Sequence, residues 1–457
     1  MRRRSFISLS MAGFSGAAAL RNCLAAKAKK AHAKQVLVVF EQGGLCHLDS
    51  LDPKPEAATE HRSPNKPIST NVSGIQISSL MPKTAQQLDK LTLVRCMHHP
   101  TPTTSGHPKG SQYVLSGEVP GGPTEMPDIG SAVAHRLGTQ ARFLPAYIMI
   151  PSTSEQAKES RLGFLPPSSK VFKTGGTDVA DPKWSVPNLG LSGDTDKLRF
   201  RDRLGLLNDI DVGLVGTAES ENVEAVESLS EQARDMLTNP RTAGAFDLST
   251  ESPKTLEKYG EGHRGRCYLL GRKLIEAGAR FVTVDVRWPS DKKKFPGGTN
   301  LNWDHHGSIY TDASCNTKVS PGNNRWGIGS WIMMGSTDQA FAALLEDMDE
   351  RGLLKETLVC FISEFGRTPK INSKQGRDHW VHAHTFAFAG AKTPGGQVVG
   401  ATDKQGGYVA SSVAYTPTDY AATLYEKLGI DREEPYHTAS DRPIFLARDG
   451  RPIREIF

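Results

Sequence analysis

Thr357-Leu358-Val359-Cys360-Phe361-Ile362-Ser363-Glu364-Phe365-Gly366-Arg367-Thr368-Pro369 decides how this chain is read. Its first six residues, apolar or β-branched throughout, fit a strand buried on both faces, as in a parallel sheet. The chain then turns polar at once. In doubly wound sheets ligands gather beyond the carboxyl ends of the strands, so Glu364 stands where chemistry is expected. An unpaired carboxylate in a core is costly, and the plain alternative is an ion pair with Arg367.

Runs of the same kind recur at Gln35–Phe40, Thr92–Arg95, Tyr147–Ile150 and Arg280–Asp285. Helical patterns alternate with them at Ile129–Leu137, Tyr268–Ala277, Ile328–Arg351 and Tyr420–Leu428. Strand and helix in alternation predict an α/β fold with a mostly parallel central sheet and helices on both faces. Residues 151–253 break the rhythm, with a Pro/Gly-rich front and then a polar helical stretch from Asp202 to Leu237. They are expected to form a cap or insertion.

Four polar clusters follow predicted strands. Glu41-Gln42-Gly43-Gly44 turns the chain after the first strand and leads to His47, Asp49 and Asp52-Pro53-Lys54; Asp49 either ligates a metal or caps a helix. After the second strand come His98 and His99, read as surface residues, and Thr103-Thr104-Ser105-Gly106-His107-Pro108-Lys109-Gly110, read as a loop. Asp304 and His306, two apart in Asn302-Trp303-Asp304-His305-His306-Gly307, suit a hard-to-borderline cation. Gly376-Arg377-Asp378-His379-Trp380 follows Glu364. His379 is expected in a loop, within reach of a metal, with Asp378 as co-ligand or as the acceptor that fixes its tautomer. His382 and His384 are expected to share one strand face in a structural role. Clusters pairing carboxylate with imidazole offer mixed O/N ligands for one or two divalent ions, zinc foremost, with manganese, magnesium or calcium as alternatives. Such an ion lowers the pKa of bound water and polarises ester oxygens. Lys109, Arg367 or Arg377 would hold the remaining anionic oxygens.

The N-terminus adds a location. Met1-Arg2-Arg3-Arg4-Ser5-Phe6-Ile7 precedes a weakly apolar run from Met11 to Leu20, and Ala31-His32-Ala33 offers a small-x-small cleavage site. The apolar run is too short to span a bilayer. This order resembles a twin-arginine signal over residues 1–33, implying export of the folded chain by the twin-arginine machinery to the periplasm or beyond. Arg21 and Asn22 before Cys23 argue against a lipid anchor. Residues 1–33 hold seven of the 55 Lys/Arg and none of the 50 Asp/Glu, so the remainder carries a formal charge of −2. That excludes a basic nucleic-acid footprint. The five later cysteines lack a CxxC and imply neither a disulfide framework nor a cysteine zinc site.

Taken in order, Gly43-Gly44 with Asp52-Pro53-Lys54-Pro55, the loop from His107 to Gly117, residues 271–278, Trp303-Asp304-x-His306, residues 363–369, residues 376–380 and Gly400-Ala401-Thr402-Asp403 resemble the exported proteins of domain of unknown function family 1501. The resemblance spans nearly the whole chain. It implies an alkaline phosphatase- and sulfatase-like fold over residues 34–457, and a hydrolase acting on small anionic esters or on sulfated or phosphorylated glycans. By the same resemblance Asp304, His306 and His379 are ligands of one metal, Glu364 stands where the superfamily has an Asp, and Glu41 or Asp49 is the first-strand ligand. Phe365 occupies the position of a phosphatase's next histidine. Counting back ten positions from Gly117, the nucleophile's place falls to His107, and the Cys-x-Pro-x-Arg sulfatase signature is absent. The attacking group is then Ser105, Thr104, His107 itself or a metal-bound water. These departures also leave room for a non-catalytic exported binding or envelope-assembly protein that keeps the fold.

Overall fold

The computed structural model describes residues 31–151, 160–175, 178–187, 189, 230–286, 301–304, 306–310, 318–320, 325–438 and 440–457. The signal's basic and apolar regions and most of the helix expected over Asp202–Leu237 lie outside them; residues 230–238 are helical.

The eight strands of the main sheet are β1 (Gln35–Phe40), β2 (Thr92–Met97), β3 (Tyr147–Ile150), β4 (Phe172–Lys173), β5 (Phe281–Asp285), β6 (Thr357–Ile362), β7 (His384–Ala389) and β8 (Gln397–Val399). Their order is β8-β2-β7-β6-β1-β5-β3-β4. Only β7 runs against the rest, pairing antiparallel with both β6 and β2. The α/β class and the mostly parallel sheet are therefore as the sequence implies. β1 lies at the centre, with Gln35–Phe40 in parallel register with Thr357–Ile362 and Val36–Phe40 with Phe281–Asp285.

Alternation along β1 explains the layers. Leu37 and Val39 enter one core and Val36, Val38 and Phe40 the other, so both faces are dry. Helices α3 (His263–Glu276) and α4 (Ser336–Glu350) cover the first face; α1 (His107–Ser116), α2 (Ile129–Leu137) and α5 (Pro417–Lys427) cover the second. Within residues 151–253, β4 joins the sheet as an edge strand beside β3.

Of the stretch read as a loop after β2, residues 107–110 open α1, and a short 3-10 turn over Pro102–Thr104 precedes it. Gly and Pro suggested a loop, but Pro108 sits in the first helical turn, where a missing N–H costs nothing. Gly117 ends the helix in the left-handed conformation at φ 76°. There is no room for a side chain there, since a Cβ would lie 2.2 Å from that of Ala421. His99 is also not a surface residue: it is buried, bonded through Nδ1 to Thr104 Oγ1 at 2.7 Å, and burial pushes its pKa down to about 3. Nor do His382 and His384 share a strand face. β7 begins at His384 and has a bulge between His384 and Phe386, while His382 lies before it against Trp380 and Tyr408.

Candidate metal centre

The polar residues beyond β1, β5 and β6 meet at the carboxyl edge of the sheet. Gly43, at φ 109°, lets the turn after β1 press against the chain at Trp303; a Cβ there would lie 2.3 Å from Trp303 N. The next residue, Asp304, is thereby fixed over the end of the sheet. His107 arrives on the first residue of α1, and His379 on a two-residue ribbon in which Arg367 pairs with His379.

One oxygen organises the site. Asp304 Oδ1 lies 3.0 Å from His107 Nε2, 2.8 Å from His306 Nε2 and 3.2 Å from His379 Nε2. His306 Nε2 and His379 Nε2 are 3.0 Å apart. These four ligand atoms all lie within 4.8 Å of one another. Each imidazole uses its other nitrogen outward: His107 Nδ1 to Glu364 Oε1 at 2.6 Å, His306 Nδ1 to Asp378 Oδ1 at 2.9 Å, and His379 Nδ1 to the Ser105 carbonyl at 2.6 Å. An Nδ1–H donated outward leaves the Nε2 lone pair facing inward, the arrangement that metal-binding histidines adopt. Bonds of roughly 2.0–2.2 Å to zinc put tetrahedral ligands about 3.3–3.6 Å apart, so slight opening of this set would admit an ion.

Charge points the same way. Among the described residues, Asp304, Glu364 and Asp378 face one guanidinium, that of Arg367, which donates to Asp304 at 3.0 Å. Burial opposes ionisation of Asp304, but bonds from His107, His306 and His379 win and hold its carboxyl well below the usual range. Burial likewise opposes charge on His107, yet Asp304 and Glu364 outweigh it and raise its pKa to about 9. In this arrangement a proton on His107 supplies charge that a cation would otherwise bring.

Glu364 is fully buried and is not one of the converging atoms. It accepts from Gly43 N at 2.8 Å and from Ser363 Oγ at 3.1 Å, and it props His107. Neither the expected ligand position nor the alternative ion pair with Arg367 describes it: its bonds go to Gly43, Ser363 and His107. Asp378 is exposed and stands behind His306 in the same way. Asp49 lies outside the cluster: buried, it accepts from Ser63 Oγ at 2.5 Å and from the Tyr310 hydroxyl, 3.5 Å from Arg377 Nε. Glu41, the other first-strand candidate, is locked among Arg264, Tyr268 and Trp303. Arg367 cannot reach outward for substrate, since its guanidinium donates to the carbonyls of Gly43, Gly44, Trp303 and Arg377. Arg377 is similarly committed to Tyr310 and to the carbonyls of Thr368, Pro369 and His61. Ser105 contributes its carbonyl, and Lys109 is exposed on α1 with no bond to the cluster. Phe365, wholly buried, forms an apolar floor with ring centroids 5.2 Å from His107 and 4.6 Å from His379. Two contributors had no side-chain signal in the sequence: the Ser105 carbonyl and the Gly43 N–H.

A family model described as Protein of unknown function (DUF1501) matches residues 33–457. The chain belongs to that family. No curated protein matches this DUF1501 chain in sequence. Among solved structures it is similar to a lipoteichoic acid synthase from Listeria monocytogenes, at 9% identity and TM-score 0.34, covering 89% of this chain and 77% of that one. A sulfatase from Pseudoalteromonas sp. is similar at 10% identity and TM-score 0.35, covering 92% and 72%. A phosphonate monoester hydrolase from Silicibacter pomeroyi is similar at 11% identity and TM-score 0.37, covering 92% and 76%. Among the described residues of the DUF1501 chain, no helix is long and apolar enough to cross a membrane.

Proposed function

We propose that this is an exported, divalent-metal-dependent hydrolase of phosphate or sulfate esters, with His107, Asp304, His306 and His379 holding the metal. The observation that carries the reading is the convergence of three Nε2 atoms on one Asp304 oxygen, each ring fixed from behind by its Nδ1. A bound divalent ion, zinc foremost, supplies Lewis-acid polarisation and a more acidic water. The chain's own residues supply orientation. Of the side-chain candidates, Thr104 is buried and bonded to His99 and to the Thr101 carbonyl, and Ser105 gives its carbonyl to His379. In this proposal a water is the attacking group, and His107 serves as ligand. Glu364 and Asp378 hold the Nδ1 protons of His107 and His306, and Phe365 keeps the floor dry.

A second reading has its own support. Four protein donors complete a tetrahedral ion, as in structural rather than catalytic zinc sites, and both arginines near the site are spent on carbonyls. On that reading the protein is an exported binding or assembly component. One experiment separates them: metal-loaded protein is assayed on aryl phosphates and aryl sulfates beside His107→Ala. Turnover that depends on metal and on His107 supports the hydrolase. Stoichiometric metal without turnover, with stability lost on chelation, defeats it in favour of the structural site.

A further inference from the structure

A second concave site lies outside the cluster. A cavity of about 610 Å³ is walled by residues 53–67, within the range of small-ligand pockets. Lys54, Arg62 and Lys66 line it, and no acidic residue does. Arg62 and Lys66 are exposed, and neither side chain has an ion-pair partner among the described residues. Lys54 does have one, Asp52 at 3.0 Å, but that carboxylate also faces Arg95 at 3.4 Å, so the pocket keeps a positive excess. Thr59 and Asn65 add neutral polar groups. Four of the ten lining residues are prolines, which restrict the backbone before any ligand arrives. The wall is also anchored from within: Ser63 Oγ donates to buried Asp49, and Arg377 donates to the His61 carbonyl at 2.9 Å. Asp49 and Arg377, misplaced by the sequence reading, find their role here.

We propose that this pocket binds the tetrahedral oxyanion of a phosphate or sulfate group, presented as a free ion or as an ester on a glycan. A guanidinium with two ammonium groups and neutral donors matches an anion whose several oxygens accept from different directions. The cavity's volume exceeds that of a lone ion and leaves room for a sugar.

Calorimetric titration of the full exported chain tests it, with inorganic phosphate, inorganic sulfate and a heparin hexasaccharide as probes. Arg62→Ala/Lys66→Ala is compared with Lys254→Ala/Lys355→Ala, which removes two exposed charges elsewhere. The pocket variant should lose about tenfold or more in affinity, and the control little. Inorganic anions competing with the hexasaccharide assign the site to a free ion; hexasaccharide binding that they fail to displace assigns it to glycan esters. Equal weakening in both double variants, or no binding of any probe, overturns the proposal.

Discussion

Trp303 and Asp304 are neighbours in sequence, yet they serve two carboxylate centres of opposite character. Trp303 donates its indole N–H to Glu41, which also takes Arg264 and the Tyr268 hydroxyl at 2.5 Å. Asp304 takes three imidazoles. Both carboxylates follow the sheet, and both gather several side-chain partners, Asp304 taking the Arg367 guanidinium as well as its imidazoles. The difference lies in the partners' chemistry. Guanidinium, phenol and indole present protons that they keep at neutral pH, whereas imidazole can give up its proton and offer a lone pair. The Glu41 knot is also sealed, while His306 is 42% exposed in its side chain. One centre can only hold the fold together; the other can exchange protons for a metal.

The largest expected effect falls on the sealed centre. Glu41→Ala leaves the Arg264 charge buried without its partner and should cost about 3–5 kcal/mol in denaturant unfolding. Asp304→Ala should cost less, because its histidines can shed their protons to solvent and Arg367 keeps its bonds to the carbonyls of Gly43, Gly44, Trp303 and Arg377. Equal losses would erase the distinction. A third carboxylate, Asp128, sharpens it from the other side. Asp128 is buried, its Oδ1 has no hydrogen-bond partner among the described residues, and burial raises its pKa to about 7. Its folded pKa lies above its unfolded one. Its stabilising contribution is therefore complete below about pH 4 and is lost as pH rises through about 7. Asp128→Asn should consequently gain about 2–4 kcal/mol at pH 8 relative to its effect at pH 4. A pH-independent difference between mutant and wild type would contradict this.

At the exchangeable centre, His379→Ala removes an inward Nε2 and should lower zinc affinity by more than the ~10–100-fold typical of losing an outer partner. His382→Ala should leave zinc content unchanged, since that ring packs against Trp380 and Tyr408 at centroid distances of 4.7 and 5.3 Å. Elemental analysis of both variants checks the pair. Equal metal in the two would place the binding site elsewhere.

The strands were legible because a doubly buried strand announces itself over six contiguous residues. Gln35–Phe40 and Thr357–Ile362 have the boundaries the sequence suggests. Asp304, His306 and His379 were grouped by the family resemblance, whereas the position count singled out His107 as a nucleophile's place, and only the fold brings its Nε2 to Asp304. What stayed hidden was the division between inner and outer groups. Glu364, Asp49 and Asp378 are all acids beyond predicted strands, and only geometry shows that the first props a ring, the second secures a loop and the third stands behind His306. Arg367 and Arg377 look like anion-binding arginines in sequence, but folding turns both toward backbone carbonyls. No residue type marks a carbonyl such as that of Ser105 as a ring's partner.

The smallest expected effect distinguishes the two outer carboxylates. Glu364 is wholly buried and accepts from Gly43 N while holding His107, whereas Asp378 is exposed and shares Oδ1 between His306 and a 3.4 Å contact from Asn372. Charge at Glu364 acts in a dry setting; charge at Asp378 is screened by solvent. Glu364→Gln keeps the shape and one acceptor but removes the negative charge that makes His107 a better donor to a cation. Zinc affinity should fall toward the upper end of ~10–100-fold for Glu364→Gln and toward the lower end for Asp378→Asn. Competition against a chromophoric chelator measures both. Raising salt should narrow the gap between Asp378→Asn and wild type while leaving the Glu364→Gln deficit in place. If salt narrowed both deficits equally, burial of Glu364 would not be what sets its strength.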